Sequence, residues 1–100
     1  MLTRLTTSLD ILIAQPRFEA GEIITTPGFR DLRLDHTHYL AMHQSGLWGE
    51  LNQFEAQANE WGVNNNGRIL SLYSLPQGPR FLVITAADRS YTLFLLEEEF

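Results

Sequence analysis

The chain has 100 residues, a net charge of −5 and twelve acidic against seven basic side chains, all seven of them arginine. The acidity and the scatter of Arg4, Arg17, Arg30, Arg33, Arg68, Arg80 and Arg89 exclude a phosphate-tracking basic stripe, so direct nucleic-acid binding is not expected. Cysteine is absent, which excludes a disulfide framework, thiolate metal ligation and a cysteine nucleophile. At 44% hydrophobic and 11% aromatic the chain can form a core, and its length suits one domain, residues 1–100. Residues 9–14 are apolar, but Asp10 interrupts them and the run is too short to span a bilayer or to serve as a secretory signal. A soluble cytoplasmic protein, without membrane attachment, is expected.

In chain order, residues 6–14 fit a strand or a helical turn, and the pattern does not decide between them. Residues 22–26 predict a short strand. Thr26 then suits a helix N-cap and Pro27 the first helical position, with Phe29, Leu32 and Leu34 on the apolar side. Asp35 predicts the cap of a second helix that runs through His43, and Gly46 ends it. Residues 48–61 predict an amphipathic helix whose apolar stripe is Trp48, Leu51, Phe54, Ala58 and Trp61, opposite Glu50, Asn52, Gln53, Gln57 and Glu60. Asn64, Asn65, Asn66 and Gly67 predict the helix end and a loop.

Residues 67–100 are the most informative stretch. Three apolar runs rich in β-branched and aromatic residues are cut by turn signals at Pro76, Gln77, Gly78, Pro79 and at Ala87, Asp88, Arg89. They predict an antiparallel meander. The fold class is therefore α+β: about three short helices from the N-terminal and central parts, packed on a C-terminal antiparallel sheet of three to four strands. Residues 1–17 form an N-terminal segment, 18–66 the short strand and helices, and 67–100 the meander with an acidic tail. Residues 81–84 and 93–96 are apolar at every position, so both sheet faces need cover. The helices suit one face, and the N-terminal segment or a second copy of the chain suits the other.

Few constellations carry chemistry. His36, His38 and His43 lie near Asp31 and Asp35, but the i, i+4 spacing of a helical zinc pair is missing, so helix-surface or capping roles are expected and no metal site. Asp88, Arg89, Ser90 and Thr92 mark a turn. Asp88 is expected to bond its own backbone and Arg89 to be solvated, since an adjacent Asp and Arg give a serine no base. No phosphate-binding glycine motif is present, and no catalytic or cofactor-binding residue is assigned. An acidic surface of Glu50, Glu55, Glu60, Glu97, Glu98 and Glu99, with Asp88 and Arg89, is the candidate partner-binding region, able to meet a basic protein groove.

Several separated motifs occur in order: Thr26-Pro27-Gly28, His43-Gln44-Ser45-Gly46-Leu47-Trp48-Gly49-Glu50-Leu51, Asn59, Gly67-Arg68-Ile69-Leu70-Ser71-Leu72-Tyr73, Val83-Ile84-Thr85-Ala86-Ala87-Asp88-Arg89-Ser90-Tyr91-Thr92, and Glu98. Over roughly residues 18–100 the chain resembles a family of small bacterial proteins of plasmids and other mobile elements. These are often labelled "plasmid-related protein" or "type I restriction endonuclease subunit M". It departs from the family pattern at Leu47 and Ala86, where an acidic residue is usual, and at Glu97, where proline is common, so a family role of those carboxylates would be absent here. The methyltransferase label conflicts with the length and with the missing cofactor-binding glycines. The resemblance implies genomic company with mobile DNA and no established activity. Together these readings favour a non-enzymatic, protein-binding accessory of a mobile element, an inhibitor of a host defence complex (anti-CRISPR or anti-restriction), with a homodimer expected. The alternatives are a small hydrolytic or nucleolytic enzyme using His43 or Asp88 with Arg89 and Arg68, and a structural homodimer.

Overall fold

A computed structural model describes residues 16–100. Among them lie strand β1 (Glu22–Thr25), helices α1 (Pro27–Asp31), α2 (His36–Gln44) and α3 (Gln53–Asn65), and strands β2 (Ile69–Ser74), β3 (Arg80–Thr85) and β4 (Tyr91–Leu96). A 3₁₀ turn, Glu97–Glu99, follows β4. The expected strand or turn at residues 6–14 and the expected N-terminal cover of the sheet fall outside the described residues.

Local chemistry explains the helix starts. The Thr26 side chain accepts from the Phe29 amide with Pro27 at the first helical position, and Asp35 accepts from the Thr37 amide. Asn52 and Glu55 form a reciprocal capping box that opens α3 at Gln53, five residues later than the sequence pattern suggests. Asn66, in the left-handed conformation, closes it.

The meander forms as expected: β2 and β3 pair antiparallel, as do β3 and β4. In the second turn the Arg89 amide donates to the Ala86 carbonyl, and Arg89 itself takes the left-handed conformation. The expectation of an antiparallel sheet needs one correction. β1 joins the outer side of β4 in parallel, so the sheet is mixed with the order β1-β4-β3-β2. The sequence between β1 and β4 contains three helices and two strands, long enough for the crossover that parallel pairing requires.

The helices pack on the face that carries Tyr73, Phe81, Val83 and Phe94, with Phe29 of α1 and the side chains Tyr39, Leu40 and Met42 of α2 against them. Phe29 makes ring contacts with both Phe81 and Phe94, with centroids 5.1 Å away in each case. On the opposite face Leu82, Ile84 and Leu95 are buried in a second cluster with Leu70, Leu72 and Leu93. That is the two-sided burial expected from the unbroken apolar runs.

The free edge of β2 is covered by two devices. The chain before α3 passes beside it as a parallel bridge: Leu72 donates to Trp48 and Glu50 donates to Leu72. Gly49 sits at that crossing with φ +79°, where a Cβ would lie 1.9 Å from the Leu72 oxygen. One pleat away, the Asn59 side chain plays the part of a strand. Its Nδ2 donates to the Leu70 carbonyl (2.6 Å) and its Oδ1 accepts from the Leu70 amide (3.0 Å).

This second device overturns the apolar stripe predicted for α3. The inward face consists of Ala56, Asn59, Gly62 and Val63, while Phe54, Ala58 and Trp61 face solvent. Trp48 and Leu51 precede the helix. A helix lying along a sheet edge needs an amide and small residues where one lying on a sheet face needs large apolar ones. Asn59→Ala should leave both Leu70 backbone groups without partners and lower the unfolding free energy by about 2–4 kcal/mol. Urea denaturation checks this, and a change below about 0.5 kcal/mol would remove Asn59 from its assigned role.

Candidate functional site

The polar residues singled out in the sequence do not converge. His36 lies edge-on to Phe94 and His38 beside Tyr39, while His43 is fully buried, contrary to the expected surface or capping role. Among the described residues no three His, Asp or Glu side chains are placed to hold one metal ion.

His43 lies on the inward side of α2 and reaches the sheet between β2 and β3. Its Nδ1 is 2.6 Å from Ser71 Oγ and its Nε2 is 2.9 Å from Thr85 Oγ1. Thr85 Oγ1 is 2.7 Å from Thr92 Oγ1, which donates to the Ala20 carbonyl at 2.7 Å. Proton counting fixes the direction of this chain. The single Thr92 proton goes to Ala20, so Thr85 donates to Thr92. Thr85 therefore accepts from His43 Nε2–H, and Ser71 donates to the bare Nδ1. The edge of Phe18 and the ring of Trp48 enclose the imidazole at centroid distances of 5.2 and 6.0 Å.

A serine bonded to an imidazole resembles the start of a nucleophilic dyad. Here both side chains have 0% exposure, so a substrate has no approach to either. Burial also pushes the His43 pKa down from 6.5 to about 3, which makes the ring a weak base near neutrality. The arrangement is a rigid, fully satisfied polar strut. The sequence does not single out Ser71 and Thr85 as site residues, and it marks Thr92 only as part of the turn that Asp88 and Arg89 mark. Their signal is parity: each occupies an inward position of its strand, in register with Tyr73, Val83 and Phe94.

Arg89 is also structural, and the expectation that it is solvated is corrected. Its Nη1 donates to the carbonyls of Gly67, Ala86 and Ala87, and its Nη2 to that of Gly62. The guanidinium lies 5.6 Å from the centre of the Phe18 ring. It thus ties the β3–β4 turn to the end of α3. These bonds offset the cost of a non-glycine residue at φ 62°, about 1–2 kcal/mol. Asp88 behaves as expected, accepting from the Ser90 amide, and hydrogen bonding from the Ser90 side chain and amide holds its carboxyl below the usual range. Arg68 lies elsewhere, beside Glu55, Ala58 and Leu70.

The acidic residues assigned to a partner surface are spread over the molecule. Glu50 and Glu97 flank Arg80 at the end of the sheet where β3 begins, and Glu97 binds it through two bonds of 2.9 and 2.7 Å. Asp88 and Arg89 stand at the other end. Glu55 caps α3, and Glu60 grips Arg17 and accepts from Trp48 Nε1. The hydrogen bonds from Arg17 hold the Glu60 carboxyl below the usual carboxylate range. Glu99 accepts from Thr26 Oγ1 and the Leu96 amide. Among the described residues Glu98 has no such bond.

The surface feature that sequence reasoning missed is apolar. Phe54 is 82% exposed and Trp61 62% exposed, one above the other on the outward side of α3 with Ala58 between them. The rim includes Glu55, Gln57, Asn64 and Asn65. The i, i+7 spacing was visible; its orientation was not.

Two outcomes check these roles. Unfolded His43 takes up a proton as the pH falls through 6.5, whereas the folded ring stays neutral until about pH 3. Its contribution is therefore complete above pH 6.5 and is lost progressively as the pH falls from there toward 3. From about pH 7 to pH 5 the wild type should lose roughly 2 kcal/mol more stability than His43→Gln, measured by urea unfolding at each pH. Arg89→Lys should cost about 1–3 kcal/mol in the same assay, because one ammonium cannot reach the Gly62 and Gly67 carbonyls and the turn together. A loss under about 0.5 kcal/mol would return Arg89 to the solvated role.

No protein-family model, curated protein or solved structure matches the chain.

Proposed function

We propose that the chain is a non-enzymatic protein-binding accessory that docks through the outward face of α3. The observation that carries this reading is the pair Phe54 and Trp61, large aromatic side chains held in solvent by a helix whose opposite side is locked to β2. Aromatic anchors of this type dominate the energetics of protein interfaces when a partner desolvates them. Glu55 beside the patch and the net charge of −5 favour a partner with a basic rim around an apolar groove. His43, Ser71, Asp88 and Arg89, the groups a hydrolytic reading would use, are engaged in holding the fold.

The resemblance to small mobile-element proteins sets the biological frame of the proposal. In it the partner is a component of a host defence complex, of the restriction or CRISPR kind, and the chain acts as its inhibitor in the cytoplasm. A homodimer would use the same face if its partner were a second copy.

The double variant Phe54→Ser, Trp61→Ser tests the reading. Both side chains are exposed, so its unfolding free energy should stay within about 1 kcal/mol of wild type. In affinity capture from the native host, wild-type protein should retain a basic partner that the variant loses, with retention weakening as salt rises. If the two proteins retain the same set, and wild type is a monomer by light scattering, the proposal fails.

A further inference from the structure

The outer edge of β1 is open among the described residues. The Glu22 and Thr26 amides donate inward, to Ser90 and Phe94 of the β4 side. By the two-residue alternation of a strand, the N–H and C=O groups of Ile23 and Thr25 therefore point outward. The Thr25 carbonyl is taken by Arg30 Nη1 at 2.5 Å, and the same nitrogen reaches Thr25 Oγ1 at 3.2 Å. The Ile23 amide, the Ile23 carbonyl and the Thr25 amide are left in a row, with a fixed guanidinium at its end.

A groove of about 390 Å³ adjoins that end, lined by Thr25, Phe29, Arg30, Leu34 and His36. Its floor is Phe29, which the core holds in place. Arg30 differs from Arg17 and Arg80, which are neutralised by Glu60 and Glu97. Among the described residues no carboxylate pairs with Arg30. The cation is thus positioned by the strand it terminates, and among the described residues its charge is uncompensated at the mouth of an apolar groove.

We propose that this edge and groove form a binding site for an extended peptide with a free C-terminal carboxylate and an apolar last residue. Strand addition to β1 supplies main-chain hydrogen bonds, the recurring mode in which an extended peptide joins a sheet edge. A peptide running parallel to β1 places its terminus at the Thr25 end. There the carboxylate meets the remaining guanidinium nitrogens of Arg30, and the last side chain enters between Phe29 and Leu34. A C-terminal residue presents the charge and the apolar group on one Cα, which an internal Asp or Glu does not. The site is separate from the α3 face, so the two proposals stand or fall independently.

The test uses the full chain and two probes, acetyl-Ser-Val-Thr-Val-Leu with a free carboxylate and the same peptide as the C-terminal amide. In ¹⁵N–¹H NMR titration the acid should shift the amide resonances of Ile23 and Thr25 and signals of residues 29–36, and bind about tenfold or more tightly than the amide. Arg30→Gln should remove the difference between acid and amide without lowering the thermal midpoint by more than about 3 °C, since Arg30 is exposed. The double variant of Phe54 and Trp61 should bind the acid as wild type does. Equal binding of acid and amide, shifts confined to other regions, or no shift at about 1 mM peptide would overturn the proposal.

Discussion

The buried hydrogen-bond chain Ser71–His43–Thr85–Thr92–Ala20 joins more of this molecule than any single apolar contact. It links α2 to β2, β3 and β4 and ends on the backbone that leads into β1. Every donor in it has one acceptor, and no described buried side-chain polar atom lacks a partner. A network satisfied in one direction specifies a geometry, because moving any member strands its neighbour in a low-dielectric interior. It tolerates neither a shift of α2 by one residue nor a slip of the strands, since either would leave the imidazole facing an aliphatic side chain. The aromatic cluster around Phe81 and Phe94 supplies the driving force for collapse, and the strut selects one arrangement among those collapse permits.

The same logic governs the sheet margins. β2 is closed by backbone from Trp48 to Glu50 and by the Asn59 amide, and the far end of α3 is secured through Arg89. Side-chain amide and guanidinium groups thus replace a fifth strand along that margin. Among the described residues β1 receives no such cover and Arg30 no carboxylate partner, so the open edge lies beside a cation that those residues leave unpaired. A short strand of four residues whose last carbonyl is held by the Arg30 guanidinium of α1 is a managed edge: it resists indiscriminate pairing and leaves room for a ligand of matching charge.

Features set by neighbours in sequence were legible. The Thr26 and Asp35 caps, Pro27, the two hairpin turns and the three meander strands follow from chemistry within a few residues. The unbroken apolar runs of β3 and β4 correctly implied burial on both faces. Features set by distant partners were not legible. His43 takes its role from Ser71 and Thr85, which lie far along the chain, and an isolated histidine carries no sign of them. Arg89 looked solvated because its acceptors are carbonyls of Gly62 and Gly67, which have no side-chain signature. The parallel pairing of β1 depended on which sheet edge remained free. Of the acidic residues read as one surface, only their common charge was visible, and three-dimensional placement scatters them.

The inversion of α3 shows how such a failure becomes informative. Periodicity assigned Phe54, Ala58 and Trp61 to the core, the orientation that burial would favour by about 2 kcal/mol for each large aromatic. Asn59 and Gly62 oppose it. Rotating the helix to bury the aromatics would swing the Asn59 amide away from the Leu70 backbone and leave that edge unsatisfied. It would also replace Gly62, where an added Cβ already comes within 3.0 Å of the Arg68 oxygen and of Ile69, by a bulky ring. Polar satisfaction along the edge therefore fixes the rotation of the helix, and exposure of the aromatic pair follows from it. Phe54 could be a small polar residue at little loss to the fold, whereas one side of the Trp61 ring lies against Gly67 and its other side is open. The two aromatics at that spacing on a locked, outward-facing helix are the exposed apolar surface on which the proposed docking rests.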